Sequence, residues 1–117
     1  KIIEVMKICK LDKFIKNGKI QNDISIGEGG ANLSGGEKQR FGIARALYTD
    51  PDVLIFDEFT SSIDSETEKE IVQNLKNIIK DKTSIFVSHK DSIFAHCDKI
   101  YEIKNKKIFQ IKELNKT

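Results

Sequence analysis

The chain has 117 residues, 38% of them hydrophobic, a length and composition that suit one small globular core. Its formal net charge is +2 with acidic and basic residues interleaved, which gives no electrostatic reason to expect nucleic acid as a partner. No run of about 18 apolar residues occurs, so a role in a membrane needs another segment or another chain. Cys9 and Cys97 lie far apart and match no metal-ligand spacing, so we interpret them as reduced thiols.

The chain is predicted to begin with a helix followed by a long loop. Apolar residues recur at helical spacing from Ile2 to Phe14, so we expect a helix over residues 2–16 that ends at the Asn17-Gly18 pair. Residues 19–32 are rich in glycine and keep no period, which indicates a loop. A loop of this length inside a compact domain is often functional.

A second helix and a βαβ unit are predicted next. The helix starts near Gly36 and stops before Asp50-Pro51, because proline restricts the residue that precedes it. Residues 53–56 are all apolar, the pattern of a strand buried on both faces. A third helix starts after Asp64, with acidic residues in its first turn and lysines at its end. Residues 84–88 form a second apolar strand, which completes a unit with two parallel strands.

The last part of the chain is predicted to hold a short helical segment over residues 91–96 and a β-hairpin. Apolar residues alternate on both sides of Lys104-Asn105-Lys106, and asparagine tolerates the left-handed turn position. The predicted fold is therefore α/β with mainly parallel strands. We expect a single partial domain, helical over residues 1–50 and α/β over residues 51–117, where the hairpin lies.

Residues 33–40 read Leu-Ser-Gly-Gly-Glu-Lys-Gln-Arg and form a candidate anion-binding helix start. Ser34 and Glu37 have the spacing of a capping box. A helix start with few side chains offers free backbone N–H groups and the positive end of the helix dipole, which suit a phosphate. Taken alone, Ser-Gly-Gly fits an ordinary capped helix better, because short motifs often match by chance.

Two carboxylates and a histidine follow the predicted strands. Asp57 and Glu58 come directly after the first strand, at the end where open α/β sheets bind their ligands. Neighbouring strand residues point to opposite sides, so the two carboxylates can serve different purposes. His89 follows the second strand and is expected at the same sheet edge. His96 lies in an amphipathic stretch, and we assign no role to it.

The order and spacing of these motifs resemble the ATP-binding cassette (ABC) ATPases of exporters over nearly the whole chain. Residues 33–40 are similar to the family's signature sequence, and the continuation Phe-Gly-Ile-Ala-Arg-Ala-Leu also looks like a transporter. The implied fold is a partial P-loop NTPase fold. The resemblance implies that Asp57 helps to hold Mg²⁺, directly or through water, and that Glu58 polarises the attacking water. It also implies that His89 contacts the terminal phosphate.

The resemblance further implies that ATP binds between two nucleotide-binding domains, in a homodimer or a heterodimer. Ser34, Gly35, Gly36 and Glu37 would then face the γ-phosphate of a nucleotide that the partner domain holds. Asp64 ends a segment similar to the family's D-loop, Ser-Ser-Ile-Asp. It is expected at the dimer interface, while the local sequence also makes it a helix N-cap.

A transmembrane domain is a further implied partner, which places the chain at the cytoplasmic face of a membrane, with the bacterial inner membrane expected. Residues 26–30, Ile-Gly-Glu-Gly-Gly, resemble a stretch that lies near the coupling helices of that domain. Ile24 stands where the family often has a polar residue. Phe59 replaces a usual alanine and Glu37 a frequent glutamine, and neither departure removes a catalytic group.

The sequence contains no Gly-x-x-x-x-Gly-Lys-Ser/Thr phosphate loop. Because that loop is the main cradle for the β- and γ-phosphates, we expect the chain alone not to hydrolyse ATP. The chain opens on Lys1 inside an apolar pattern, which suggests a preceding segment. The strand before His89 is then expected to expose an apolar edge, a site for aggregation.

Three functions are weighed. The favoured one is the C-terminal part of the ATP-hydrolysing domain of an ABC exporter, whose substrate this sequence does not indicate. The alternative is a shortened, non-catalytic module that binds a partner through its signature face. A chromosome-maintenance or DNA-repair ATPase is disfavoured, because those proteins flank the same Leu-Ser-Gly-Gly-Glu with coiled coils and no sustained heptads occur here.

Overall fold

The computed structural model describes residues 1–20 and 33–113. The predicted loop over residues 19–32 lies almost entirely outside this part of the chain, and the glycine-rich residues 26–30 lie wholly outside it. The described elements are, in order, α1 (Ile2–Ile8), a 3₁₀ turn (Asp12–Phe14), β1 (Ile15–Lys16), β2 (Lys19–Ile20), α2 (Gly35–Tyr48), β3 (Val53–Asp57), α3 (Ser65–Ile79), β4 (Thr83–Val87), α4 (Asp91–Phe94), β5 (Lys99–Lys104) and β6 (Lys107–Glu113).

The first helix is shorter than the sequence predicted. After α1, Lys10 takes a left-handed backbone conformation with a φ of 60°, which a continuing helix does not allow. The chain then forms the 3₁₀ turn and the antiparallel ribbon β1–β2, which turns at Asn17-Gly18. The prediction of one helix over residues 2–16 was therefore wrong. The apolar residue at position 14 is explained by tertiary packing, since Phe14 packs on Phe41 of α2 with the ring centroids 5.1 Å apart.

Helix α2 begins and ends close to the predicted positions. Ser34 is its N-cap, since its Oγ accepts a hydrogen bond from the Glu37 N–H at 3.1 Å. The Glu37 carboxylate accepts in return from the Ser34 N–H at 2.9 Å, which completes the predicted capping box. The helix ends at Tyr48, ahead of Asp50-Pro51, as the proline predicted.

The predicted βαβ unit is present. β3 and β4 pair in parallel, in a register that places Val53 opposite Thr83 and Asp57 opposite Val87. Helix α3 makes the connection between them. Its N-cap is Asp64, as predicted. The parallel register brings the carboxyl ends of both strands to the same edge.

Strand β3 is buried on one face only. Leu54 and Phe56 lie in the core, whereas the side chain of Ile55 is 70% exposed. The prediction of a strand buried on both faces was wrong, because the helices of the described part of the chain pack on one side of the β3–β4 pair. The uncovered face carries Val53, Ile55, Ile85 and Val87.

One apolar core joins the helices to the inner face of β3. Burying each large side chain of such a core contributes about 1.5–3 kcal/mol. Asn74 of α3 adds a hydrogen bond to the Ile8 carbonyl oxygen at 3.0 Å, and Arg40 of α2 adds one to the Lys10 carbonyl oxygen at 2.7 Å. The buried apolar residues are Val5, Met6, Cys9, Leu11, Ile43, Ala44, Leu47, Leu54, Phe56, Phe59, Ile63, Ile71, Val72, Leu75 and Ile93.

The chain's last described element is the predicted hairpin. β5 and β6 pair antiparallel around a turn at Asn105 and Lys106, whose φ angles of 52° and 63° fit a two-residue turn with both residues left-handed. The short helix before it, α4, ends at Phe94. Within the described ranges, none of the helices combines the length and apolar character that crossing a membrane requires.

Candidate functional site

The parallel strands bring two of the predicted site residues into contact. Glu58 follows β3 and His89 follows β4 by two residues, and Glu58 Oε1 lies 3.3 Å from His89 Nε2. The imidazole is almost fully exposed and the carboxylate about one-third exposed, so both are accessible to a ligand. The pair is an ion pair whenever the imidazole is protonated.

The backbone of Glu58 is held in an unusual conformation. Its φ is 49°, in the left-handed region, which costs a residue with a Cβ about 1–2 kcal/mol. Its N–H donates to the Val87 carbonyl oxygen at 2.8 Å. Its own carbonyl oxygen accepts from Gln39 Nε2 at 3.2 Å. Strained residues of this kind persist where the surroundings fix them, and they cluster at functional sites.

Asp57 is exposed at the carboxyl end of β3, next to Glu58. No group of three or more His, Cys, Asp or Glu side chains in the described ranges is arranged to hold a metal ion. Mg²⁺ usually binds through one or two carboxylates and completes its shell with water and phosphate oxygens. Among the described residues, Asp57 thus offers one exposed carboxylate of the kind that Mg²⁺ uses beside phosphate oxygens, and no group of side chains is arranged to hold a metal ion by itself.

The start of α2 packs closely on the loop that follows β3. A Cβ on Gly36 would lie 2.7 Å from the Ser62 carbonyl oxygen, and one on Gly35 would lie 3.4 Å from the Ser62 side chain. The close approach of the Ser62 backbone thus requires a glycine at position 36, whether or not a phosphate binds there. The N–H groups of the first helical turn have no partner inside the helix, and the Ser34 cap takes that of Glu37.

Glu37 is buried, and its carboxylate is engaged within the chain. It accepts from the Ser34 N–H and forms an ion pair with Lys13. The hydrogen bond from Lys13, followed by the one from the Ser34 N–H, keeps the pKa of Glu37 below its ordinary value. The carboxylate thus stabilises the helix start. Its predicted part in nucleotide binding stays a prediction.

Asp64 acts first as a cap. Its carboxylate accepts from the Thr67 hydroxyl at 2.7 Å and from the Thr67 N–H at 3.0 Å, and these bonds lower its pKa. The predicted contact of Asp64 with a partner subunit stays a prediction.

Gln39 is a site residue that the sequence reasoning missed. Its Nε2 donates to the Glu58 carbonyl oxygen and to Ser61 Oγ, at 3.2 and 2.7 Å. Its Oε1 accepts from the Ser62 N–H at 2.8 Å. One side chain of α2 thus holds the loop over residues 58–62, which follows β3. Its place inside the octapeptide was the signal that could have drawn attention to it.

A second missed group ties the segment around His89 to α3. Lys90 Nζ lies 2.6 Å from Glu68 Oε2 and donates to the Thr60 carbonyl oxygen at 2.7 Å, while Ser92 Oγ donates to Glu68 Oε1 at 2.6 Å. Burial raises the pKa of Glu68, but the bonds from Lys90, Ser92 and Thr60 outweigh it and leave that pKa below its ordinary value. The ionised Glu68 carboxylate is therefore buried with a hydrogen-bond partner on each of its two oxygens.

Comparison with known proteins identifies the motifs. The family model described as "ABC transporter" matches residues 5–61, from α1 through the octapeptide to the loop after β3. A solved structure described as a bacterial Atm1-family ABC exporter with ATP bound superimposes with a TM-score of 0.71 at 33% identity, covering 86% of this chain and 18% of that one. The chain is an ATP-binding cassette sequence of the exporter type. The predicted α/β fold, a partial ABC ATPase fold with a terminal hairpin, is confirmed.

Curated relatives of this cassette include proteins of plants, bacteria and animals. ABC transporter B family member 13 of Arabidopsis thaliana is 42% identical over 104 residues, 89% of this chain and 8% of its own length. The ATP-dependent lipid A-core flippase of Pseudoalteromonas translucida is 42% identical over 107 residues, 92% and 18% of the two chains. The mitochondrial iron-sulfur clusters transporter ABCB7 of Danio rerio is 45% identical over 107 residues, 92% and 14%. The cassette described here spans less than a fifth of the length of each.

The predicted site residues of the cassette fall into two groups. Glu58 and His89 are in direct contact, with Asp57 at the same sheet edge. Ser34, Gly35 and Gly36 form the second group at the start of α2, where Gly35 and Gly36 lie against Ser62 of the loop after β3. Gln39 connects the helix of the second group to the backbone of the first.

Proposed function

We propose that the chain works as the C-terminal part of the ATP-binding and ATP-hydrolysing domain of an ABC exporter, which energises movement of a substrate across a membrane. The contact between Glu58 Oε1 and His89 Nε2, 3.3 Å apart at the edge of two parallel strands, is the main support. A carboxylate and an imidazole placed together at such an edge suit the positioning of a water beside a phosphate. The names of the relatives differ in what they transport, so the substrate is left open.

The residues of the sheet edge divide the work. Glu58 accepts a hydrogen bond from the attacking water and polarises it, and His89 donates to the γ-phosphate. Asp57 would hold Mg²⁺, which neutralises charge on the phosphate oxygens when it is bound with ATP. Catalysis on this proposal is positioning and charge stabilisation, with no covalent step on the protein.

The start of α2 serves the nucleotide of a second nucleotide-binding domain, identical or different. The hydroxyl of Ser34 accepts from the Glu37 N–H, so its own proton stays available for a γ-phosphate oxygen. The N–H groups of Gly35 and Gly36 point out of a helix start, where the dipole favours an anion. Glu37 keeps this start in shape through its capping box, and Asp64 lies at the interface with the partner domain.

A transmembrane domain is the other proposed partner. The proposed location is the cytoplasmic face of a membrane, namely the bacterial inner membrane. Interleaved charges with a net value of +2 give no support for a nucleic-acid partner. Closure of the two domains over ATP would exclude bulk water, which strengthens the electrostatic contacts inside the site.

The proposal is tested by Glu58→Gln in the complete protein. We expect ATP-bound dimers that hydrolyse very slowly, because the amide cannot polarise water as the carboxylate does. Glu66→Gln is the matched control, since Glu66 is an exposed carboxylate in the first turn of α3. Near-normal turnover of Glu58→Gln would overturn the role of Glu58. For the purified chain alone we expect no ATP hydrolysis above background, and robust hydrolysis would contradict that expectation.

A further inference from the structure

We propose that Gln39 is a positioning residue for Glu58: its side-chain amide holds the Glu58 peptide in the left-handed conformation that directs the carboxylate toward His89. The inference rests on the proposed role of Glu58 in ATP hydrolysis. It adds Gln39, a residue of α2 within the signature sequence, which acts on the hydrolytic carboxylate of its own chain.

The Glu58 peptide is fixed from both sides. Toward β4, its N–H donates to the Val87 carbonyl oxygen at 2.8 Å, which continues the parallel pairing of the strands by one bond. Toward α2, its carbonyl oxygen accepts from Gln39 Nε2 at 3.2 Å. A left-handed φ of 49° is unfavourable for glutamate, so the conformation needs partners on both sides to persist.

The orientation of the Gln39 amide is itself determined by its partners. The Ser62 N–H can only donate, so it selects the oxygen of the amide, at 2.8 Å. The Glu58 carbonyl oxygen can only accept, so it selects the nitrogen. The nitrogen also reaches Ser61 Oγ at 2.7 Å. A side chain that carries a donor and an acceptor on one short fork is needed here, and glutamine supplies it.

The loss of this bond acts on the direction of the Glu58 carboxylate. With its carbonyl oxygen unbonded, the Glu58 peptide can relax toward right-handed φ values, which moves the side chain away from His89. ATP binding through the other groups is not affected by that rotation. We therefore expect a loss in kcat that leaves KM for ATP unchanged, the pattern of a contact that matters in the transition state.

Two variants of the complete protein separate the bonds of Gln39, and Gln73→Glu, the same substitution at an exposed residue of α3, is the matched control. Gln39→Glu keeps an oxygen for the Ser62 N–H and loses the donor to Glu58, and Gln39→Met loses both the oxygen and the donor. We expect kcat to fall about tenfold or more in both Gln39 variants, with KM within about twofold of the parent, while Gln73→Glu stays within about twofold of the parent in kcat and KM. A parental kcat in Gln39→Glu would overturn the inference.

A double-mutant cycle shows whether Gln39 acts through Glu58. In the Glu58→Gln background, Gln39→Glu should change the residual single-turnover rate by less than about twofold, since there is no carboxylate left to position. An additional loss of the same size as in the parent would show an independent structural role and overturn the inference. Near-normal turnover of Glu58→Gln alone would instead overturn the proposed function, and this inference with it.

Discussion

Lys90 Nζ lies 2.6 Å from Glu68 Oε2, so the segment that follows β4 is fastened to helix α3 by an ion pair whose carboxylate is buried. Lys90 also donates to the Thr60 carbonyl oxygen, in the loop that follows β3. One ammonium group therefore joins the segments that carry Glu58 and His89. The separation of those two side chains depends on this anchor as well as on the pairing of the strands.

Lys90→Met is expected to destabilise the protein by about 3 kcal/mol, since it leaves the buried Glu68 carboxylate without its cation. This is the lower end of the range for breaking a buried pair, because 35% of the Lys90 side chain is exposed. Denaturant titration of the complete protein, followed with a spectroscopic signal from this domain, measures the change in the free energy of unfolding. Lys69→Met on the exposed side of α3 is the control and should stay within about 0.5 kcal/mol of the parent. Equal midpoints for the two variants would contradict the role of Lys90.

Because Glu37 forms an ion pair, the free energy of unfolding should depend on pH in the acid range. The pKa of Glu37 in the folded chain is below its ordinary value of 4.5, so its stabilising contribution is complete above about pH 4.5. That contribution is lost as the pH falls through the lower, folded pKa. Glu37→Gln keeps the oxygen of the capping box and loses the charge toward Lys13.

We therefore expect Glu37→Gln to be less stable than the parent at pH 7, by about 1 kcal/mol because Lys13 is largely exposed. The difference should shrink as the pH falls below about 4.5 and Glu37 becomes protonated. Unfolding free energies measured across this range test it, with Glu4→Gln, an exposed carboxylate of α1, as the control. A difference that stays constant with pH would show that the charge of Glu37 does not contribute.

Features that depend on a few neighbouring residues could be predicted from the sequence. The capping box spans Ser34 to Glu37, and the Asp64 cap reaches only Thr67, so each is written in one short segment. The placement of Glu58 and His89 at one sheet edge also followed from the sequence, because parallel strands joined by a helix bring their carboxyl ends together. Their direct contact is a finding of the structure.

Features that depend on tertiary approach could not be predicted in this way. The partners of Gln39 lie 19 to 23 residues away, and no local pattern encodes which backbone groups they expose. The end of α1 was missed because the apolar spacing continues past Lys10, where the backbone turns left-handed. The exposed face of β3 was missed because an apolar residue such as Ile55 looks the same in the sequence whether or not another structural element covers it.

Cys9 should be inert in the folded protein. It is fully buried, and burial raises the pKa of its thiol to about 12, so almost no thiolate is present near neutral pH. Treatment with iodoacetamide at pH 8, followed by mass spectrometry of the peptides, should leave Cys9 unmodified while Cys97, which is partly exposed, reacts. In denaturant both should react. Rapid labelling of native Cys9 would contradict the packing of α1 on the core.

Gly36 and Gly42, two of the three glycines of α2, are expected to respond in opposite ways to the same substitution. Gly36→Ala places a methyl group 2.7 Å from the Ser62 carbonyl oxygen, a backbone atom that cannot step aside, so we expect a loss of about 1–3 kcal/mol and reduced ATP turnover. Gly42→Ala is the matched control, because nothing lies within 4 Å of its added Cβ. There alanine should stabilise the helix by about 0.5–1 kcal/mol and leave turnover unchanged. Thermal or chemical unfolding of both variants, with ATP turnover of the complete protein, measures the contrast. Equal stability changes in the two variants would show that α2 does not lie against Ser62 as described.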